Sequence, residues 1–283
     1  MDDGRDPLII ANWKMNGSQA KICEDLQAYT THESANNENV IFAVPYVYLT
    51  VAQQNIKLSQ HGGAKYKIAS QDVSQFCGYG AYTGEVSANM LHDLGIEYTI
   101  VGHSERRMCG DTNEIIMQKL HNLLQQNITP IYCIGESLAV RESGEYEGFL
   151  LKQLNVFIES LENLKIKVTE TAETFENQAS MPITQIVPPA VPAIIVAYEP
   201  IWSIGTGIIP DAKQIEEIMN LIYAFVQKKL GRVKIAALYG GSVTSKNITE
   251  IMQVPLVNGV LVGGASLNVS EFTRICSAAK VKK

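Results

Sequence analysis

Eight short apolar runs punctuate the chain: Leu8–Asn12, Val40–Val44, Lys67–Ser70, Tyr98–Val101, Thr129–Cys133, Ala193–Ala197, Lys234–Tyr239 and Gly259–Val262. Their brevity and near-continuous apolar character predict parallel strands covered on both faces. Between them the spacing changes to three and four. Ser18–Thr30 opens on a serine, and Leu120, Leu123 and Leu124 mark one face of a helix from about Thr112 to Gln126. Leu150, Leu151, Leu154, Phe157, Ile158 and Leu161 repeat that spacing, as do Ile215, Ile218, Met219, Ile222, Phe225 and Val226. Strand followed by helix, repeated around eight strands, predicts an α/β fold with right-handed crossovers. The arrangement expected is a closed (β/α)8 barrel, a single domain over residues 1–283. A doubly wound open sheet is the alternative, because periodicity does not fix closure.

Residues 163–192 break the rhythm. They are rich in Thr, Glu, Asn and Ser, then read Val187-Pro188-Pro189-Ala190-Val191-Pro192. The prolines bar a continuous helix. A connection this long is uncommon in a compact domain, yet long surface insertions cost little. The expectation is a surface insertion, in part flexible, on the barrel face away from the strand C-termini.

Composition narrows the function classes. A hydrophobic content of 46% and a charged content of 18% describe an ordinary globular chain. The net charge of −6 argues against a nucleic-acid footprint. An anionic ligand would have to be gripped by local groups. No apolar run approaches the ~18 residues of a membrane span, and Met1–Asp6 lacks a signal-peptide pattern. The five cysteines are scattered, with no Cys-x-x-Cys, as expected of reduced thiols in the cytoplasm. The histidines show no ligand spacing, so no metal is expected.

The candidate chemistry lies just past the strand ends. Residues 197–207 read Ala-Tyr-Glu-Pro-Ile-Trp-Ser-Ile-Gly-Thr-Gly. Pro200 keeps Glu199 out of helical geometry, so the carboxylate sits at a strand terminus. The apolar loop after it, with Trp202 and Ile204, suits a water-excluding lid, and Gly205-Thr206-Gly207 an anion grip. Asn12 and Lys14 follow the first strand, where a lysine can attract phosphate or an oxyanion. His103 follows the fourth strand, where backbone N–H groups at a helix start favour a neutral imidazole. Glu105 is placed to pair with Lys14. Gly240-Gly241-Ser242 and Gly263-Gly264 follow strands seven and eight, each expected to open a helix and cradle phosphate. Base, imidazole, lysine and phosphate grips fall on one barrel face, as expected of an enzyme acting on a small phosphorylated carbonyl compound.

These segments resemble the triosephosphate isomerase family. The motifs are Asn-Trp-Lys-Met-Asn-Gly at 12–17, Gly-Ala-Tyr-Thr-Gly-Glu at 80–85, Val-Gly-His-Ser-Glu-Arg-Arg at 101–107 and Cys-Ile-Gly-Glu at 133–136. The 197–207 segment, Tyr-Gly-Gly-Ser-Val at 239–243 and Leu-Val-Gly-Gly-Ala-Ser-Leu at 261–267 complete the set. The resemblance implies a TIM barrel and interconversion of dihydroxyacetone phosphate and glyceraldehyde 3-phosphate in glycolysis and gluconeogenesis. It implies Glu199 as the base and His103, Lys14 and Asn12 as partners of the enediolate oxygens. Ser104 and Glu105 support them. Phosphate would be held near Gly205, Ser242, Gly263 and Gly264. No cofactor is implied, since only protons move. A cytoplasmic homodimer is implied, in which Thr83, on a loop over about 72–86 with Phe76, Tyr79 and Tyr82 exposed, reaches the partner's site near Lys14.

Three local departures stand out. The lid ends in Ile208-Ile209-Pro210, where the family often has Lys-Thr-Ala. Asp111 stands for the usual Glu, and Asp72 where Asn is frequent. Two other functions share part of the pattern. An epimerase on another sugar phosphate would keep the cradle without the Glu199 lid, and with a metal. A non-catalytic relative that docks a partner through 163–192 would be expected to lack Lys14, His103 or Glu199.

Overall fold

The computed structural model describes residues 7–31, 39–59, 66–174, 194–204, 208–231 and 233–280. Eight parallel strands, β1 (Leu8–Asn12), β2 (Val40–Val44), β3 (Lys67–Ser70), β4 (Tyr98–Val101), β5 (Thr129–Ile134), β6 (Ile194–Tyr198), β7 (Ile235–Tyr239) and β8 (Val257–Val262), close in sequence order. The ring is completed by β8 pairing with β1, Leu8 opposite Gly259 and Ala11 opposite Val262. The barrel is closed, and the open-sheet alternative is excluded. Strand limits match the apolar runs to within a residue or two. Ala193, expected to start the sixth strand, lies outside the described residues.

Both faces of each strand are apolar because each faces a different core. Ile10, Ile41, Ala43, Ile100, Ile131 and Leu238 belong to the cluster inside the barrel. Their chain neighbours Ile9, Phe42, Val101 and Tyr239 belong to the cluster between strands and helices. Period-two alternation therefore decides which core a residue fills, not whether it is buried. On the opposite parity to the inward Ala69, Tyr98 and Ile100, the buried Ser70 and Thr99 hydroxyls satisfy each other at 2.8 Å.

The helices are α1 (Gln19–Thr31), α2 (Leu49–Ser59), α3 (Ala88–Asp93), α4 (Ser104–Met108), α5 (Asn113–Gln125), α6 (Leu138–Glu142), α7 (Tyr146–Thr174), α8 (Ala212–Leu230), α9 (Ile248–Gln253) and α10 (Val269–Ala278). Side-chain caps fix several starts. Thr112 accepts from the N–H of Ile115, and Ser137 from that of Val140. Asp211 and Gln214 form a reciprocal capping box at α8. The buried stripe of α8, Ile215, Ile218, Met219, Ile222 and Val226, is the one its spacing predicts, with Phe225 only partly buried.

One expectation needs correction. The segment beginning at residue 163 starts as helix, since α7 runs on to Thr174. The prolines at 188, 189 and 192 stand too far downstream to interrupt it. The rest of that segment, from residue 175, lies outside the described residues.

Gly259 makes the closing seam possible. A Cβ there would stand 1.8 Å from the Leu8 carbonyl oxygen, a backbone atom of β1 that has nowhere to retreat. Gly259→Ala is expected to cost about 3 kcal/mol or prevent folding, at the upper end of overpacking penalties. Gly148→Ala on α7, with open space around the added carbon, is expected to be neutral or to gain up to about 1 kcal/mol. Urea denaturation of the two variants beside the parent chain tests the contrast, and equal stabilities would refute it.

Candidate active site

Glu199 occupies its place through strand parity and two glycines. Ile195 and Ala197 point into the barrel, and Glu199 is the next residue of that parity, at the mouth. Its N–H donates to the Ile134 carbonyl at 2.7 Å. A Cβ at Gly135 would lie 1.8 Å from the Glu199 carbonyl oxygen, and one at Gly240 3.0 Å from its Cγ. Pro200 ends the strand, and a single 3₁₀ turn, Ile201–Ser203, follows. The carboxylate is buried, at 1% exposure, so its hydrogen bonds define its surroundings. Oε2 accepts from the Ser104 N–H at 3.1 Å, and Oε1 lies 3.2 Å from His103 Nε2. Burial pushes the thiol of Cys133 well above its ordinary range, and the Glu199 carboxylate beside it adds to the shift.

His103 reaches the mouth by a backbone bend rather than by parity. Gly102 before it takes a φ of 74°, and a Cβ there would press on the Tyr132 ring at 3.0 Å and the Cys133 carbonyl at 3.1 Å. His103 is the N-cap residue of α4, and its Nδ1 accepts from the Glu105 N–H at 3.2 Å. That bond assigns the proton of the neutral ring to Nε2, the atom facing Glu199. Arg107 pins the bend by donating to the Gly102 carbonyl at 2.8 Å and to Asn113 Oδ1 at 2.9 Å.

Lys14 lies on the other side of the mouth. Asn12 has the inward parity of Ile10, and its Oδ1 accepts from the Lys14 N–H at 3.0 Å. The short loop gives Lys14 a left-handed backbone, φ 52°, which is unfavourable for a residue with a Cβ. Its Nζ donates to Glu105 Oε1 at 2.7 Å, the pairing expected from sequence. Its stem also passes Gly263, where a Cβ would come within 3.3 Å of Lys14 Cε.

The phosphate-grip candidates divide. Gly263 and Gly264 follow β8, and a 3₁₀ turn, Gly264–Leu267, begins at once. The N–H and hydroxyl of Ser266 both donate to the Gly263 carbonyl, at 2.8 and 2.7 Å. After β7 the expectation of an immediate helix fails, because α9 begins only at Ile248. The Asn247 side chain instead accepts from the Thr244 N–H at 2.8 Å and donates to the Ser242 carbonyl at 3.0 Å, folding an intervening turn. Ser242 Oγ donates to the Ser203 carbonyl at 2.7 Å. Gly205, with Thr206 and Gly207, lies outside the described residues. Thr83 sits exposed on the loop after β3, and among the described contacts none joins it to Lys14, His103 or Glu199 of its own chain.

Two residues near the mouth were not assigned roles from sequence. Glu136, fully buried just past β5, accepts from Tyr198 O–H at 3.0 Å and Trp202 Nε1–H at 3.1 Å on the same oxygen. Burial pushes its carboxyl upward, against those hydrogen bonds and against Arg141 nearby. Ser203, also fully buried, donates from Oγ to the Ile208 carbonyl at 2.6 Å. The Gly-Glu ending of the fifth strand, a carboxylate just past an apolar run as at Glu199, was the available signal for Glu136. Nothing local marks Ser203.

The family model described as triosephosphate isomerase matches residues 7–169 and 159–279. The protein named triosephosphate isomerase from Nitrosomonas europaea is 37% identical over 281 residues, spanning 98% of this chain and 99% of the relative. Those so named from Shewanella sediminis and Shewanella frigidimarina are each 35% identical over 284 residues, spanning 97% of this chain and 98% of the relative. A closed barrel with these residues at its mouth, matched along nearly its whole length, belongs to the triosephosphate isomerase family.

Proposed function

We propose that this chain interconverts dihydroxyacetone phosphate and D-glyceraldehyde 3-phosphate by moving a proton between neighbouring carbons, as a step of glycolysis and gluconeogenesis in the cytoplasm. The observation that carries this reading is a buried carboxylate, Glu199, against the Nε2 of His103 at the barrel mouth, with Lys14 held beside them through Glu105. Glu199 leaves the Ser104 N–H and takes a proton from the carbon next to the carbonyl. The negative charge moves to oxygen, giving an enediolate. His103 Nε2–H, the Lys14 ammonium and Asn12 stabilise the two oxygens, and His103 passes a proton between them. Glu199 then returns its proton to the other carbon. Stabilisation is strong because the donors are held in place before the charge appears.

Ser104 supports the base through its backbone and Glu105 supports Lys14 through its carboxylate. The phosphate is held by backbone N–H groups around Gly205, Ser242, Gly263 and Gly264. These sit on the loops after β6, β7 and β8, leaving the carbonyl end of the substrate toward β1, β4 and β6. No helix among the described residues is long and apolar enough to cross a membrane.

The working unit is a homodimer. Large apolar side chains stand exposed on the segments that follow four adjacent strands: Met15 at 94%, Val47 at 80%, Tyr79 at 75% and, at the end of α4, Met108 at 76%. Such a row on one side of a barrel is costly unless covered. Phe76 is half-buried rather than exposed, because it stacks on Tyr82 at 3.8 Å, so the loop carrying Thr83 has some order of its own. The segment 163–192 is a surface insertion without part in the chemistry.

Two measurements test these assignments. In a coupled assay starting from glyceraldehyde 3-phosphate, Glu199→Gln is expected to lower kcat by about a thousandfold, within the range of a positioned general base. Unchanged turnover would remove Glu199 from that role. In sedimentation equilibrium the parent chain is expected at twice its chain mass, and Thr83→Arg at a single chain mass with little activity. A monomeric, fully active parent chain would refute the dimer.

A further inference from the structure

Four charged side chains meet around α4. Lys119 of α5, only 3% exposed, places Nζ 2.8 and 3.0 Å from the two carboxylate oxygens of Asp72 and 2.6 Å from Asp111 Oδ2. Arg106 of α4 places Nε 2.9 Å from Asp72 Oδ2 as an ion pair without hydrogen-bond geometry, and donates a long hydrogen bond from Nη2 to Asp111 Oδ1 at 3.4 Å. Two cations and two anions alternate, so the group is neutral as a whole. Lys119 and Asp111 are buried while the Arg106 side chain is 43% exposed, so loss of one anion is felt chiefly at the Lys119 ammonium, which has little water to replace it.

The division of contacts is uneven. Asp111 is short and spends its close contact on Lys119. Asp72, arriving from the loop after β3, supplies the close contact to Arg106 and a second carboxylate to Lys119. Arg106 belongs to a helix of only five residues, α4, whose other end carries the chemistry. That end provides the His103 cap, the Ser104 N–H on Glu199 and the Glu105 carboxylate on Lys14. So short a helix does not hold its own position in water and takes it from tertiary contacts.

We propose that Asp72 is a positioning residue for the isomerisation, holding α4 through Arg106 and Lys119 so that His103, Ser104 and Glu105 stand correctly at the mouth. Asp72 and Asp111 act as a pair. The carboxylate at 72 makes up for the reach that Asp111 lacks, and a longer acid at 111 would serve both cations by itself. This rests on the proposed isomerase activity, which the parent chain must show first.

The experiment is a reciprocal exchange. Asp72→Asn, Asp111→Glu and the double variant are assayed with glyceraldehyde 3-phosphate, at temperatures well below melting and with assembly checked by sedimentation. Asp72→Asn is expected to lose roughly tenfold in kcat with KM within about twofold, since α4 moves while the β7 and β8 loops do not. Asp72→Asn with Asp111→Glu is expected to recover to within about threefold of the parent. A general loss of stability would not be repaired by a second core substitution at one chosen site. A fully active Asp72→Asn overturns the proposal, as does a double variant that fails to fold or folds without recovery. If the single variant fails to fold, a folded and active double variant still supports the pairing. Inactivity of the parent chain would instead overturn the isomerase reading itself.

Discussion

Closure of the strand ring is the constraint from which the site follows. β1 and β8 are the chain's first and last strands, and only their pairing brings Lys14 and Gly263 together. In an open sheet these residues would stand on opposite edges, with the width of the sheet between them. The seam closes because position 259 carries no side chain where the Leu8 carbonyl arrives. Once the ring exists, every strand end opens onto the same mouth. Groups far apart in sequence, at positions 12, 103, 199 and 263, then need only loops of a few residues to converge.

Much of this was legible because the strands carry an apolar code on both faces. Counting by two from Ile10 reaches Asn12, and from Ala197 reaches Glu199, so their parity is written in the sequence, while the choice of the inward face comes only with the closed ring. His103 was found by motif but not by parity, since Gly102 turns the chain through a left-handed bend. The Gly240-Gly241 turn was misread because Asn247, several residues downstream, folds it with its own side chain. The start of the 163–192 segment reads as irregular because of its polar composition and downstream prolines, yet α7 carries on through it to Thr174. Glu136 shows the limit of strand-end reasoning. Its carboxylate follows a strand as Glu199 does, and only the hydroxyl of Tyr198 and the indole of Trp202 reaching it separate the two. The contacts of Asp72 with Arg106 and Lys119 join three separate elements and leave no local trace.

The two charged groups around α4 differ in kind. The Lys14–Glu105 pair is partly open to water, with Glu105 side-chain exposure at 47%, so it adds little to stability and serves to aim the ammonium. In the group around Lys119, Lys119 and Asp111 are shielded at 4% and 6% side-chain exposure and are bound together by the cost of separation, while Arg106 at 43% reaches water. A five-residue helix thus has an adjustable front and a fixed back. That division suits a site whose base must change partners while the imidazole keeps its orientation.

The left-handed backbone of Lys14 sets selection for folding against selection for turnover. The strain of about 1–3 kcal/mol usual for such residues would vanish with glycine at that position. Glycine would also fit the tight loop. Mutation judged on folding alone would therefore drift away from the lysine. Its persistence in a lineage would mark continued turnover more faithfully than the barrel core, whose apolar residues would outlast the loss of activity.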